Sequence, residues 1–255
     1  MNEKTRKIIA ARALTMVDLT DLSEECTDAA IDHLCKRAQT PFGPVGAICI
    51  WPRFVAHAKT QLQGSAIPIA TVVNFPGGYQ TIEQTVAETT KAIEDGADEI
   101  DLVMPYQALI QGDVETVKAM IIAVRKASNK MALLKVIIES GVLQSEELVK
   151  QASLIAIDAG ADFIKTSTGK VAVNATPEVA EIMIQTIADS KQNVGFKPAG
   201  GIKNTQDCGN YLAIADRIMG KEWATNETFR FGASSVLDDL LAALEGAGVV
   251  SSTGY

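Results

Sequence analysis

The chain has 255 residues, 47% of them hydrophobic and 21% charged, which supplies one large core and excludes intrinsic disorder or a low-complexity scaffold. Lys and Arg total 23 against 31 Asp and Glu, a formal net charge of −8. No basic run offsets that excess, so nucleic-acid and membrane-surface partners are not expected.

In chain order, the stretch MNEKTRKIIAARA is charged from its start and is expected to form a short extra N-terminal helix. It builds no apolar signal segment, and no apolar run approaches the roughly 20 residues of a membrane span; a cytoplasmic protein is expected. Short apolar runs then alternate with amphipathic segments. Predicted strands cover 14–19, 46–50, 69–75, 99–104, 132–139, 162–166, 194–198 and 229–232. The helices predicted to follow them cover 27–39, 53–63, 82–94, 114–128, 146–158, 177–189, 205–219 and 236–244. About eight βα units in one domain, 1–255, is the count of a closed TIM (β/α)8 barrel.

Local signals agree with that reading. Thr81 with Gln84 forms a capping-box pattern, and Thr176 before Pro177 gives a cap followed by proline at the first helical position. Gly96-Ala97-Asp98 and Gly160-Ala161-Asp162 echo each other between a helix and the next strand. An open doubly wound sheet is the competing fold, but no GxGxxG follows the first predicted strand. The segment 246–255 has no period and is expected to be a flexible tail.

Near-continuous apolar strands fit a parallel sheet buried on both faces, which makes their ionisable residues informative: Asp18, Asp101, Lys135, Glu139, Lys165 and Lys197. One reading is that the lysines are internal salt-bridge partners of Asp18, Asp101 or Glu139. The other is a Schiff-base amine. A lysine nucleophile must be neutral, and desolvation plus a second lysine on the adjacent strand favours loss of its proton. Lowering its pKa from about 10.4 to about 7.5 requires about 4 kcal/mol and raises the neutral fraction several hundredfold.

Gly200-Gly201 after the seventh strand, and Gly232-Ala233-Ser234-Ser235 where the last helix begins, form neighbouring loops of the kind that bind phosphate in TIM barrels. Gly169-Lys170 after the sixth strand could add a cation. His33 and His57 fall on predicted helices, there is no HExxH, and the cysteines Cys26, Cys35, Cys49 and Cys208 lack CxxC spacing. Neither a metal site nor a disulfide framework is expected.

The segments DFIKTSTGK (162–170), GFKPAGG (195–201), DEIDLVMPY (98–106), AICIWPRF (47–54) and RFGASS (230–235), with the terminal tyrosine, resemble the deoxyribose-phosphate aldolase family over nearly the whole chain. The resemblance implies a class I aldolase of phosphosugar and aldehyde substrates, needing no metal or organic cofactor and forming a homo-oligomer, expected here as a homodimer. It assigns the Schiff base to Lys165, the perturbing cation to Lys197, proton transfer to Asp101 and organisation of the lysine pair to Asp18. Cys49 and Thr168 are implied to line the substrate. Gly169, Lys170, Gly200, Gly201, Gly232, Ser234 and Ser235 are implied to bind the phosphate, and Tyr255 to relay a proton from over the barrel mouth. Two departures are Trp51 where tyrosine is common, and Lys203 where arginine is. Another phosphosugar aldolase or isomerase on the same barrel, or a noncatalytic phosphosugar-binding protein, would share the loops.

Overall fold

A computed structural model of the chain describes residues 1–246. Its centre is one sheet of eight parallel strands: β1 (Val17–Asp21), β2 (Ala47–Ile50), β3 (Ile69–Val73), β4 (Glu99–Val103), β5 (Leu133–Ile137), β6 (Phe163–Lys165), β7 (Gly195–Lys197) and β8 (Phe231–Ala233). They run in sequence order, with β8 pairing on β1. The ring closes between β7 and β8 through the bridges Phe196 to Phe229 and Ala199 to Gly232. All the strand ends that face the loops into the following helices therefore share one face, where barrel active sites lie.

The outer layer is α1 (Glu3–Leu14), α2 (Asp28–Arg37), α3 (Val55–Gln61), α4 (Ile82–Glu94), α5 (Tyr106–Ile110), α6 (Val114–Ser128), α7 (Ser140–Leu143), α8 (Glu146–Asp158), α9 (Pro177–Ser190), α10 (Thr205–Met219) and α11 (Val236–Glu245). Several starts are fixed by side-chain oxygens that take up free first-turn amides: Thr27, Asp113, Ser145, Thr176 and Asn204 do this singly. Thr81 and Gln84 complete the expected capping box. The extra helix α1 lies beside α10 and α11, held by Arg12 on both carboxylate oxygens of Asp216 and by Arg6 on Asp239.

The structure corrects several boundaries. The run beginning at Leu14 is shared: Leu14 ends α1 and the strand begins at Val17, a division that apolar content cannot reveal. Strands β6, β7 and β8 are only three residues long, because the chain leaves the sheet as soon as it reaches the loops of the barrel mouth. The hairpin Gln39–Thr40 with Gly43–Pro44, the 3-10 turn Pro52–Phe54, and the helices α5 and α7 were not expected. Each is too short to carry a period. Of the segment 246–255, only Gly246 lies within the described residues.

The barrel core is tight where glycine permits it. A Cβ on Gly195 would stand 2.4 Å from the Phe163 ring, so the ring can fill the barrel only because β7 has no side chain there.

Candidate active site

Alternation along a strand puts Glu99 and Asp101 on one face of β4. Register brings Asp101 opposite Lys135 on β5, and Lys165 on β6 opposite Lys197 on β7. Asp18 on β1 lies opposite Gly232. Together with Arg230, just before β8, these residues fill the barrel interior with charge, and every one of them is buried.

Asp101 is the hub. Its Oδ1 accepts from Lys135 Nζ at 2.8 Å, and its Oδ2 accepts from Lys165 Nζ and Lys197 Nζ, each at 2.7 Å. Lys135 also donates to Glu99 Oε2 at 2.5 Å, and Lys197 to Asp18 Oδ2. Arg230 donates through Nη1 to Asp18 Oδ1 at 2.7 Å and through Nη2 to Glu99 Oε1 at 2.9 Å. Lys165 differs from the other cations: Asp101 is its one ion-pair partner among the described residues, whereas Lys135, Lys197 and Arg230 each hold two or more carboxylates.

The proton affinities follow from this pairing. Burial pushes every ammonium towards the neutral form. At Lys165 burial wins: Asp101 opposes it, Lys197 reinforces it, and the pKa falls below the ordinary lysine value. At Lys197 burial is outweighed by Asp101 and Asp18, and at Lys135 by Asp101 and Glu99, so both are held above it. Burial raises the carboxyls of Asp18 and Asp101, but the cations around them hold both well below the usual range. One neutralisable amine thus sits against a persistent carboxylate and a persistent ammonium.

Other expected residues fall into two groups. Cys49 on β2 is buried beside the lysine pair; burial raises its thiol pKa. It belongs to an apolar wall with Leu22, Ala70 and Val72, against which Trp51 and Phe75 pack. The Trp51 indole donates to Ser23 O at 3.0 Å and meets the Phe75 ring edge-on at 5.4 Å. Glu139, an expected salt-bridge candidate, makes no ion pair among the described residues. Its backbone is left-handed, with φ 53°, which turns the carboxylate to Thr168, accepting from the backbone N at 3.2 Å and Oγ1 at 2.6 Å. Thr168 Oγ1 also accepts from Lys170 N at 3.0 Å, so Thr168 braces the Gly169-Lys170 loop.

The glycine loops meet at the closing seam. Gly200 N donates to Gly232 O, and the turn is made by Gly200 and Gly201 at φ 81° and 82°, a conformation that favours glycine. Ser235 begins α11 without filling its first amides with a side-chain hydrogen bond. The carboxylates of that turn are engaged elsewhere, Asp238 on Arg37 and Asp239 on Arg6 and Thr205. Those amides and the positive helix end are therefore available to an anion. Lys170 instead donates to Leu22 O at 2.8 Å and would have to swing to reach that anion. Tyr255 lies outside the described residues.

Among the described residues no cluster of three His, Cys, Asp or Glu has the arrangement to hold a metal ion, and no helix is long and apolar enough to cross a membrane. His33 lies on α2, and His57 on α3 contacts Asp32 at 2.8 Å, both in the outer layer. Glu99 and Arg230 join the site without having been expected there. The two-residue spacing of Glu99 from Asp101 was a usable signal, as was an arginine between Phe229 and Phe231.

The model of the DeoC/LacD family aldolases matches residues 12–241. A protein of Agrobacterium fabrum named deoxyribose-phosphate aldolase is 58% identical over 238 residues, covering 93% of this chain and 92% of its own. A crystal structure from Toxoplasma gondii ME49, provisionally named deoxyribose-phosphate aldolase, superposes with a TM-score of 0.89 at 21% identity, covering 97% of this chain and 98% of its own. The deoxyribose phosphate aldolase of Aeropyrum pernix, described as tetrameric, gives a TM-score of 0.76 at 22% identity and covers 93% of this chain and 91% of its own. At those identities the two structures establish the fold alone.

Proposed function

Because the chain belongs to the DeoC/LacD family of aldolases, we propose that it is a lyase that reversibly cleaves 2-deoxy-D-ribose 5-phosphate to D-glyceraldehyde 3-phosphate and acetaldehyde through a Schiff base on Lys165. The observation that carries the proposal is the pairing asymmetry: among the described residues Lys165 has a single carboxylate partner, and its pKa is lowered, while the adjacent Lys197 stays charged.

The chemistry follows from those states. The neutral Lys165 amine attacks the aldehyde carbon, and the carbinolamine loses water to give a protonated imine. Asp101, 2.7 Å from Nζ, is close enough to pass protons through one water in these steps. The imine withdraws electrons, so the C3 hydroxyl loses its proton as the C2–C3 bond breaks. Glyceraldehyde 3-phosphate departs and an enamine of acetaldehyde remains on Lys165. Protonation of the enamine carbon and hydrolysis of the resulting imine release acetaldehyde and restore the amine. Lys197 remains an ammonium throughout, and Asp18, which it contacts, orients it. Tyr255 is carried in the proposal as the proton relay to the enamine carbon. Cys49 lines the aldehyde end.

The phosphate is assigned to Gly169, Lys170, Gly200, Gly201, Gly232, Ser234 and Ser235, with Thr168 bracing the loop. Anchoring it far from the reacting carbon contributes orientation to bond cleavage. Ser234→Asp puts a carboxylate where the anion would sit, so KM for deoxyribose phosphate is expected to rise about tenfold or more while that for unphosphorylated deoxyribose changes little. Equal losses on both substrates would take the phosphate away from this seam.

The decisive test is acetaldehyde release from deoxyribose 5-phosphate in EDTA, combined with borohydride reduction and peptide mapping. The expected result is turnover together with a mass increase on Lys165. Adducts only on Lys135 or Lys197 would overturn the assignment. A cytoplasmic location, in keeping with four buried unpaired thiols, and a homodimer complete the proposal. Exposed Ile122, Met131 and Leu133 are apolar surface suited to a contact between copies, and a monomer or tetramer in sedimentation would overturn the dimer.

A further inference from the structure

The buried charges form a closed ring. Starting at Asp101 and moving through contacts of 3 Å or less, the order is Asp101, Lys135, Glu99, Arg230, Asp18, Lys197 and back to Asp101. Signs alternate throughout, so three carboxylates and three cations make a neutral ring. Lys165 is not in it. It hangs from Asp101 as a seventh charge; the buried Glu139 carboxylate makes no ion pair with it among the described residues and is hydrogen-bonded to Thr168 instead, so Lys165 is the cation that the ring leaves over.

The geometry points to Arg230 and Glu99 as a positioning pair that sets this count, making Lys165 the supernumerary cation and hence the lysine that gives up its proton. The inference rests on the Schiff-base reading of Lys165, and it concerns two residues to which that reading gives no role. Arg230 is suited to closing the ring. Its guanidinium stays charged at any working pH, and its planar fork reaches Asp18 on β1 and Glu99 on β4 through two separate nitrogens. Its Nε donates to Asn226 O and its guanidinium lies 5.9 Å from the Phe163 ring centre, so the fork is fixed before any substrate arrives.

Without a third permanent cation in the ring, Lys165 would be needed to balance Asp18, Glu99 and Asp101 and would remain protonated. Without Glu99, the excess positive charge would grow and Lys165 would lose its proton more readily. The groups around the Lys165 amine do not offset these changes. Asp101 on β4 and Lys197 on β7 belong to the ring; Cys49 on β2 is a thiol whose pKa is raised; Glu139, after β5, feels the Lys165 charge, but burial holds its pKa above the ordinary value and its carboxylate is hydrogen-bonded to Thr168.

The test uses Arg230→Met, Glu99→Gln, the double variant and Arg230→Lys in the full chain. Two readouts are taken: the acidic limb of the kcat/KM profile, and the pH dependence of trace acetylation of Lys165 by acetic anhydride, mapped by mass spectrometry. Arg230→Met is expected to move both upward by about one pH unit, with roughly a tenfold loss of kcat/KM at pH 7. Glu99→Gln is expected to move both downward by about as much. The double variant removes one charge of each sign and is expected to return near the wild-type position, and Arg230→Lys to shift less than Arg230→Met. Single variants that leave both readouts unmoved, or that move them in the same direction, would overturn the inference. If Arg230→Met does not fold, the downward shift of Glu99→Gln decides alone. Acetylation titrates Lys165 whether or not it forms a Schiff base, so opposite acetylation shifts without borohydride trapping would sink the Schiff-base reading and leave the ring standing. Trapping on Lys165 with unmoved limbs would do the reverse.

Discussion

Lys165→Met is expected to lower aldol cleavage by on the order of 10⁴-fold or more, because no other amine in the barrel is both near Asp101 and inclined to be neutral. The same substitution is expected to stabilise the fold by about 1 kcal/mol, since it removes the buried cation that the ring does not balance and puts an apolar side chain of similar length in its place. Urea unfolding at pH 7, read against the steady-state rate, checks both halves. The two outcomes together separate a nucleophile from a structural ion-pair partner: if Lys165 were there for pairing, its loss would weaken the protein. Retained activity, or destabilisation of several kcal/mol, would return Lys165 to the class of internal salt bridges.

Asp101→Ala is expected to have the largest effect on stability. It removes the shared acceptor of Lys135, Lys165 and Lys197 and leaves two carboxylates to face four buried cations. Breaking buried pairs in this way costs about 3–5 kcal/mol. The deficit has a pH dependence of defined sign. In the wild type the Asp101 carboxyl is depressed on folding, so its contribution is complete above its unfolded value near pH 4 and is lost as the pH falls below that. At the other extreme, lysines deprived of their acceptor are easier to neutralise, so the deficit is expected to shrink as the pH approaches about 10. Urea midpoints at pH 4, 7 and 10 read the pattern. A loss under 1 kcal/mol at pH 7, or a deficit that grows with alkalinity, would show that Asp101 is not the hub.

The contrast between Lys165 and Glu139 shows where the sequence stopped being informative. Both are ionisable residues at the end of an apolar strand, and both belong to the same C-terminal face. Lys165 stays in register with Lys197 and meets the carboxylate of Asp101. Glu139 lies two residues beyond β5, where the backbone turns left-handed and swings its carboxylate onto Thr168. No pattern of residue types distinguishes those fates, because the deciding variable is one backbone dihedral set by the loop.

Alternating apolar runs and amphipathic segments were by themselves sufficient to specify eight parallel strands with helices around them, since burial on both faces of a strand and on one face of a helix leaves a periodic mark. The capping pairs Thr81 with Gln84 and Thr176 with Pro177 marked their helices for the same local reason. The presence of Asp18, Asp101, Lys135, Lys165 and Lys197 in apolar strands also located the interior of the barrel as the place where charge had to be used or paired. Tertiary structure alone decided how it is paired. Glu99 and Arg230 are 131 residues apart in the chain, and the 2.9 Å contact between them exists only because β8 returns to close on β1 after the sheet has come full circle. That closure makes three carboxylates and three cations a balanced ring and leaves the Lys165 cation over. Sequence can supply the number of charges, but only barrel closure determines which of them is left without a counterpart.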